Sequence, residues 1–249
     1  MRKIVTSYAT ERYYQAIDSL ERTAVRIGKA DLFIKYKYDD VKDSKFFQEN
    51  KHIISRCGNK ICEAQYWIWK PFIILEAMKS CDDGDIVLYI DAGMIVVDDL
   101  DPLFEIAKNN KDNRILFSAS KIYGRHLNLE YTKRDCFILM GCDEPQYWNT
   151  RMLNASMSVW MKTQTNISFL SEWREYVSDS RIVTDDPNTC GQPNFQDFRE
   201  HRFDQSVLSL LSVKYNSEIY RDPSQYSVNE NYENSPYKQL VLQHNIHLQ

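Results

Sequence analysis

The sequence predicts an α/β fold in which helices flank a mostly parallel sheet, and two patterns carry that prediction. Near the amino terminus a β-leaning run at residues 4–8 is followed by helical apolar spacing over 10–28 and a second strand-like run at 31–36. Residues 86–90 form a continuous apolar run, typical of a central strand buried on both faces. Because strands that alternate with helices form parallel sheets, we expect one domain across residues 1–249.

The remaining elements follow from similar patterns. A helix is predicted from Trp69 to residue 81, since Pro71 is well tolerated in a first turn. A short helix at 102–110 and a strand at 114–118 follow, and the second half predicts a strand at 156–161 and helices at 167–177 and 203–211. The turn-rich stretch 179–199 is typical of a mobile active-site loop.

Composition excludes several classes of protein. The chain has 249 residues, of which 43% are hydrophobic and 27% charged, as in globular proteins with a sizeable core. With only seven glycines it contains neither G-x-x-x-x-G-K-[ST] nor G-x-G-x-x-G, which argues against P-loop NTPases and dinucleotide dehydrogenases. The net charge is −4 and the basic residues are scattered, so we expect no nucleic-acid partner.

No targeting or membrane segment is evident in the sequence. Residues 1–7 lack the apolar core of a signal peptide, and no apolar run approaches the length of about 20 residues that spans a bilayer. We therefore expect a cytoplasmic protein without a transmembrane segment, for which peripheral association with a membrane-bound acceptor stays open. The six cysteines are then expected to be reduced.

A carboxylate follows the central apolar run: residues 86–90 end at Asp91, which is followed by Ala92 and Gly93. Ligands of open α/β sheets bind beyond the carboxyl ends of the strands. A carboxylate there can coordinate Mg²⁺ or Mn²⁺, which would neutralise charge on a departing diphosphate. A turn-capping role for Asp91 is the alternative interpretation.

Two segments resemble the GT-A class of glycosyltransferases. They are residues 66–72, Tyr-Trp-Ile-Trp-Lys-Pro-Phe, and residues 85–93, Asp-Ile-Val-Leu-Tyr-Ile-Asp-Ala-Gly, and the resemblance in order and spacing covers residues 3–215. It implies a Rossmann-like domain in which residues 1–118 bind a nucleotide-sugar and residues 119–249 bind the acceptor and carry the catalytic groups. In that class the central strand ends in an Asp-x-Asp motif that binds Mn²⁺ or Mg²⁺. Here Gly93 stands at the second Asp, so one expected metal ligand is missing.

The resemblance also implies a donor site. Its residues are Thr6, Ser7, Tyr8, Lys70, Asp91, Gly93 and Asn154. The hydroxyls of the first strand would hydrogen-bond the base, and Tyr8 would either stack on the base or pack in the core. Lys70 would reach the phosphates near a helix amino terminus, a place that favours anions. Gly93 would let a phosphate approach the backbone closely.

The catalytic groups implied by the resemblance lie at the start of the last predicted helix. The pair Asp204-Gln205 is similar to one that lies beneath the anomeric carbon in retaining GT-A enzymes. It would stabilise an oxocarbenium-like transition state or orient the acceptor hydroxyl, with His201 and Arg202 adding cationic character. The alternative is that Asp204 only caps the helix.

The resemblance implies a late histidine as a further metal ligand, because several GT-A families use one. His244 is the candidate, with His247 as its rival, and neutral imidazole is a competent ligand. The predicted metal ligands are therefore Asp91 and His244, for Mn²⁺ or Mg²⁺.

We expect transfer of a hexose from a nucleotide-diphosphate donor, with UDP-sugars favoured, to a glycan acceptor, assisted by metal and with retention favoured. A sugar-phosphate nucleotidyltransferase is the alternative, although residues 6–13 lack the glycine-rich basic loop of that class. A non-catalytic glycan-binding module ranks third. The 16 tyrosines and five tryptophans of the chain suit stacking against sugar rings, but most aromatic residues occupy core-like positions.

Overall fold

A six-stranded sheet forms the centre of the computed structural model, which describes residues 1–55, 65–119, 125–227 and 235–243. The strands are β1 (Lys3–Ala9), β2 (Leu32–Lys37), β3 (Ile86–Ile90), β4 (Met94–Val96), β5 (Arg114–Ser118), β6 (Leu153–Met161), β7 (Ile219–Tyr220) and β8 (Val241–Gln243). The sheet has the order β2-β1-β3-β6-β5-β7, and β4 pairs with β8 separately. Strand β1 is parallel to β2 and β3, β5 is parallel to β7, and β6 is antiparallel to both its neighbours.

Helices cover both faces of this sheet. They are α1 (Tyr14–Arg26), α2 (Tyr38–Val41), α3 (Lys45–Glu49), α4 (Lys51–Ile54), α5 (Trp69–Lys79), α6 (Asp101–Asn109), α7 (Asn128–Tyr131), α8 (Arg134–Leu139), α9 (Pro145–Trp148), α10 (Gln164–Val177), α11 (Ser180–Val183) and α12 (Phe203–Lys214). Single 3-10 turns occur at Glu11–Tyr13, Gln65–Trp67 and Gln225–Ser227. The predicted fold class, α/β with a mostly parallel sheet flanked by helices, is confirmed. The division into a donor half and an acceptor half stays a prediction.

The alternation of side chains along β3 builds two cores. Val87 and Tyr89 pack with α5, α10 and α12 on one face, whereas Leu88 and Ile90 pack with α1 and α6 on the other. All five residues of β3 are fully buried. The interpretation of residues 86–90 as a central, doubly covered strand is therefore confirmed.

The reversed direction of β6 determines which residues meet at the edge of the sheet. Because β1 and β3 are parallel, both end at the same edge, and the antiparallel β6 begins there. The backbone N–H of Asp91, just past β3, donates to the carbonyl of Ser156 at 2.8 Å. The carboxyl end of the central strand and the first residues of β6 thus form one surface.

The structure has more regular elements than the sequence predicts between residues 38 and 55 and between 125 and 152. Helices α2, α3 and α4 occupy the first stretch and α7, α8 and α9 the second. None exceeds six residues, which is too short to show a helical period. Across the described ranges no helix combines the length and apolar character needed to cross a bilayer.

Candidate active site

A buried lysine joins three elements at the carboxyl edge of the sheet. Lys70, in the first turn of α5, is only 3% exposed. Its Nζ donates to the carbonyl of Ala155 on β6 at 2.9 Å and lies 3.4 Å from Asp91 Oδ1 and 3.3 Å from Asp204 Oδ2. We call Lys70, Asp91 and Asp204 the Lys70 cluster. Three residues that the sequence predicts separately therefore lie around one ammonium group.

The charges of this cluster are unevenly shared. Burial opposes the charge on Lys70, but the carboxylates of Asp204 and Asp91 outweigh burial and raise its pKa. Burial raises the pKa of Asp204 to about 7, and the nearby charge of Asp91 adds to this although Lys70 opposes it. The hydroxyl of Tyr89 donates to Asp91 Oδ1 at 2.5 Å, and burial holds the pKa of this phenol well above its usual value. One ammonium thus holds two carboxyl groups, and the pKa of the more buried one, Asp204, is raised so that it retains a proton more readily than an ordinary aspartate.

Backbone strain is concentrated next to the cluster. Tyr66 and Trp67, just before α5, and Phe203, at the start of α12, have φ angles of 52°, 55° and 51°. Bulky side chains rarely adopt this left-handed conformation, which costs on the order of 1–3 kcal/mol per residue. The ring of Phe203 stacks on Trp67 at 6.0 Å and contacts Tyr66 edge-on at 5.2 Å. Because such strain gathers at functional sites, it supports the Lys70 cluster as part of one.

A cavity of about 600 Å³ lies beside the cluster, at the same edge of the sheet. Asn154 and Ser156 on β6 and Gln205 on α12 line it. Asn154 and Ser156 flank Ala155, the residue bonded to Lys70, and Gln205 follows Asp204 directly. The cluster therefore lies behind the cavity wall, and Lys70 and Asp204 are not among the described residues that line the cavity.

Hydrogen bonds fix the two amides of the cavity wall. The Asn154 side chain donates to Asp222 Oδ2 at 2.5 Å and accepts from the N–H of Ser156 at 2.9 Å. The Gln205 side chain donates to the carbonyl of Leu153 at 2.7 Å. Asp222, only 2% exposed, was not predicted from the sequence, because it follows a two-residue strand that leaves no pattern. Amide and carboxylate oxygens held in this way are preorganised acceptors for sugar hydroxyls.

Two arginines also line the cavity. The side chains of Arg199 and Arg202 are 61% and 46% exposed, and their guanidinium carbons lie 5.8 and 5.4 Å from the centre of the Tyr131 ring. Arg199 pairs with Glu130 at 3.3 Å, and Arg202 pairs with Glu200. The sequence pointed to Arg202 but not to Arg199, which lies in a stretch without periodicity.

The predicted base-binding residues of β1 lie in the interior. Thr6 is fully buried and donates to the carbonyl of Ile34 at 2.9 Å. Ser7 is also fully buried, and the Tyr8 ring, 2% exposed, packs 4.4 Å from the ring of Trp69. The described contacts of Tyr8 match the core-packing alternative. The role of these three residues in base binding stays a prediction.

His201 is held by backbone groups. Its Nδ1 accepts from the N–H of Lys133 at 3.3 Å, and its Nε2 donates to the carbonyl of Ile182 at 2.9 Å. Burial lowers the pKa of His201 to about 3, so the ring is neutral near pH 7. The expected cationic character of His201 is therefore wrong. Its catalytic role stays a prediction, and it is not among the described residues that line the cavity.

The described residues do not fit a divalent metal. No group of three or more His, Cys, Asp or Glu side chains within them is arranged to hold an ion. A Cβ at Gly93 would meet its nearest non-neighbouring atom, Tyr13 Cε1, only at 4.0 Å, so sterics do not exclude the second carboxylate. Asp91 already lies beside an ammonium. His244 and His247 lie outside the described residues, so the predicted pair of Asp91 and His244 stays a prediction.

Comparisons with known proteins find no similar sequence but do find solved structures with a similar fold. The sequence matches no family model and no curated protein. Apo mouse xyloside xylosyltransferase 1 superposes with a TM-score of 0.52 at 10% identity, covering 99% of this chain and 98% of that one. The chain has the fold of glycosyltransferases. The apo bifunctional glycosyltransferase WbbM superposes with a TM-score of 0.50 at 11% identity, over 98% of this chain and 46% of that one.

At these identities the likeness concerns the fold alone. In open α/β folds ligands bind at the carboxyl ends of the strands, and the Lys70 cluster and the cavity occupy that edge here. Fold and local chemistry therefore indicate the same place, although they come from independent observations.

Proposed function

We propose that this protein is a glycosyltransferase that moves a hexose from a nucleotide-diphosphate sugar to a glycan acceptor. One observation carries the proposal: a cavity at the carboxyl edge of the sheet has fixed amides on its wall and a buried ion cluster behind it. A pocket that combines a few oriented polar groups with a perturbed carboxyl group is the arrangement expected of an active site. The likeness in fold to two glycosyltransferases supports the same class.

The cavity wall suggests roles for its residues. Asn154 and Gln205 would bind hydroxyl groups of the transferred sugar, since their amides already have fixed orientations. Asp204 directly precedes Gln205 in the sequence and is only 3% exposed. It would therefore influence the sugar indirectly, through the residues of the cavity wall, and not by contact. In the reaction the anomeric carbon exchanges its bond to the β-phosphate oxygen for a bond to the acceptor oxygen. The nucleoside diphosphate leaves with the electron pair, and the hydroxyl proton passes to the departing phosphate.

The finer parts of the proposal come from the sequence. UDP-sugars are the first donors to test, and the cytoplasm is the proposed compartment. Retention is the proposed stereochemical course, because the pair Asp204-Gln205 resembles one in retaining GT-A enzymes. The two alternatives, nucleotidyl transfer and glycan binding without catalysis, differ from the proposal in what they consume. A nucleotidyltransferase releases pyrophosphate from a nucleoside triphosphate, and a binding module consumes nothing.

The test begins with thermal unfolding in the presence of UDP-, GDP-, CMP- and TDP-sugars. A donor that binds only the folded state raises the melting temperature, by mass action equivalent to about 2.7 kcal/mol at a hundredfold excess over Kd. With the donor so identified, we expect release of the nucleoside diphosphate in the presence of glycan acceptors. Pyrophosphate release from nucleoside triphosphate plus sugar phosphate, or glycan binding without affinity for any nucleotide-sugar, would contradict the proposal.

Variants of the wall connect the activity with the cavity. Gln205→Ala removes an amide that lines the cavity, and we expect kcat/KM to fall about tenfold or more, as for loss of a hydrogen bond used in the transition state. The matched control is Gln239→Ala, an amide outside the cavity lining, which bonds the carbonyl of Val241. Equal losses of activity in the two variants would remove the cavity from the proposal.

A further inference from the structure

The ammonium of Lys70 already has the surroundings of a bound cation. An ammonium group has three N–H donors, and here three oxygens from three elements surround it. They are the carbonyl of Ala155 at 2.9 Å, Asp204 Oδ2 at 3.3 Å and Asp91 Oδ1 at 3.4 Å. The nitrogen is buried, so this cation is a fixed part of the protein rather than a mobile surface charge.

The strand-end carboxylate is therefore bound to a protein cation, and the second carboxylate of an Asp-x-Asp pair is missing from the chain after it. Gly93 leaves the position two residues after Asp91 without a side chain, although a Cβ would have space there. A divalent ion takes several oxygen ligands, and the described residues supply no group of three candidates. A divalent ion at Asp91 would also be repelled by the ammonium that lies 3.4 Å from its Oδ1.

The donor's negative charge has other partners at the cavity. Arg199 and Arg202 line it, and both side chains are about half exposed or more. A guanidinium binds phosphate oxygens through two parallel N–H bonds, which gives charge compensation and orientation together. Both arginines contact the ring of Tyr131.

We propose that the protein binds the diphosphate of its donor through Arg199 and Arg202, without a divalent metal, and that the Lys70 ammonium is the resident cation at Asp91. The inference rests on the proposed function, because it concerns the donor of that reaction. It departs from the metal dependence that the resemblance implies.

Donor binding with and without chelator is the decisive measurement. With the nucleotide-sugar that raises the melting temperature, we expect calorimetric Kd and transfer rate to be the same in EDTA and in Mn²⁺. Loss of binding or transfer in EDTA, with recovery on adding Mn²⁺, would overturn the inference while leaving the proposed function intact. Absence of binding and transfer under both conditions, for every donor, is instead the failure of the proposed function.

Variants at Gly93 test why the metal is not needed. Gly93→Asp supplies the missing carboxylate, and Gly93→Asn is a control of equal shape without charge. We expect Mn²⁺, observed by electron paramagnetic resonance of the free ion, to bind Gly93→Asp, because the added carboxylate offsets the charge of the Lys70 ammonium, but to bind neither the wild type nor Gly93→Asn. Stoichiometric Mn²⁺ binding by the wild type, alone or with donor, would overturn the inference, as would Mn²⁺ binding by the Asn control.

Variants at the arginines test whether these side chains bind the diphosphate. Arg202→Gln keeps hydrogen-bonding capacity but removes the charge. We expect the affinity for the donor to weaken about tenfold, and the affinity for the corresponding nucleoside, which lacks phosphates, to weaken less. Arg181→Gln is the matched control, since Arg181 is also exposed and paired with a neighbouring carboxylate but lies outside the cavity lining. Equal affinities for the diphosphate in wild type and Arg202→Gln would exclude this arginine as a phosphate ligand.

Discussion

Two of the lysines in the described ranges are almost fully buried, and their surroundings differ. Lys70 is 3% exposed and lies between two carboxyl groups at 3.3 and 3.4 Å. Lys133 is 2% exposed, but its Nζ donates to two backbone carbonyls, of Thr184 at 3.2 Å and Asp186 at 2.9 Å. Burial lowers the pKa of Lys133, whereas the pKa of Lys70 is raised because its carboxylate partners outweigh burial. Similar burial therefore has opposite consequences when the acceptors differ in charge.

Asp135, the acidic partner of Lys133, accepts its hydrogen bonds from other residues. Asp135 is fully buried and lies 4.0 Å from Lys133, and it accepts from the N–H and hydroxyl of Thr189 and the N–H of Cys190 at 2.8–3.0 Å. We call Lys133, Asp135 and His201 the Lys133 cluster, because His201 accepts from the N–H of Lys133. This cluster fastens the turn-rich stretch 184–190 to α8, whereas the Lys70 cluster concentrates charge behind a cavity. One is a structural anchor, and the other has the electrostatics of a functional site.

The largest expected difference between the clusters is in how much the free energy of unfolding falls when the lysine is replaced. Lys70→Met leaves two carboxyl groups without their cation, so we expect the free energy of unfolding to fall by about 3–5 kcal/mol. Lys133→Met removes bonds to carbonyls, and we expect a loss of about 1–2 kcal/mol. Urea unfolding followed by circular dichroism measures both. Adding Asp204→Asn should restore part of the loss in Lys70→Met, and equal losses in the two single variants would contradict the comparison.

The carboxyl groups provide a second contrast. Burial alone would raise the pKa of Asp135, but the bonds from Cys190 and Thr189 lower it, so this group is an ionised acceptor. Asp135→Asn turns a donor toward those N–H groups, and we expect a loss of about 2–3 kcal/mol near pH 7 together with faster proteolysis in residues 184–194. For Asp204→Asn at the same pH we expect less than about 1 kcal/mol, because Asp204 is half protonated there. The reverse order of losses would show that the two environments are misassigned.

The sequence predicts the long elements and the identity of the cluster, but not its geometry. The apolar run of β3 and the helical period of α1 extend over enough residues to be recognised, whereas α7, α8 and α9 have only four to six residues each. Lys70 and Asp91 are predicted as site residues because each stands at the end of a recognisable element, whereas Asp204 is predicted from the resemblance to retaining GT-A enzymes. The contact between Lys70 and Asp204, 134 positions apart, depends on the packing of α5 and α12 near β6, which no local pattern contains.

The residues that sequence reasoning missed share a cause. Asp222 follows a two-residue strand, and Arg199 lies in an irregular stretch, so neither has a periodic neighbour that would indicate its direction. The positive φ angles of Tyr66, Trp67 and Phe203 are also invisible in the sequence, since aromatic residues are not the usual occupants of that conformation. The burial of Lys70 is likewise a tertiary effect, and its role as a phosphate ligand stays a prediction.

A pH dependence separates Asp204 from an ordinary aspartate. Its pKa is raised to about 7 in the folded protein, above the usual 3.8 of an aspartate, so the folded state holds a proton that the unfolded chain has released. This contribution to stability is complete below pH 3.8 and is lost as the pH rises through 7. We expect the wild type to lose about 2 kcal/mol relative to Asp204→Asn between about pH 5 and about pH 7. Parallel pH profiles for the two proteins would show that Asp204 is ionised throughout.

His201 should give the smallest effect, with the opposite sign. Burial lowers the pKa of His201 from 6.5 to about 3. Between these two pH values the unfolded chain binds a proton at this residue that the folded protein does not bind. Its contribution is complete above pH 6.5 and is lost as the pH falls toward 3. Between about pH 6.5 and about pH 5.5 we expect the wild type to lose about 1 kcal/mol more than His201→Asn, whose amide does not titrate. Chemical unfolding at the two pH values measures the slope, which is independent of any constant loss caused by the substitution. A wild-type slope equal to that of His201→Asn would mean that the ring is protonated in the folded protein, which would break its bond from the N–H of Lys133.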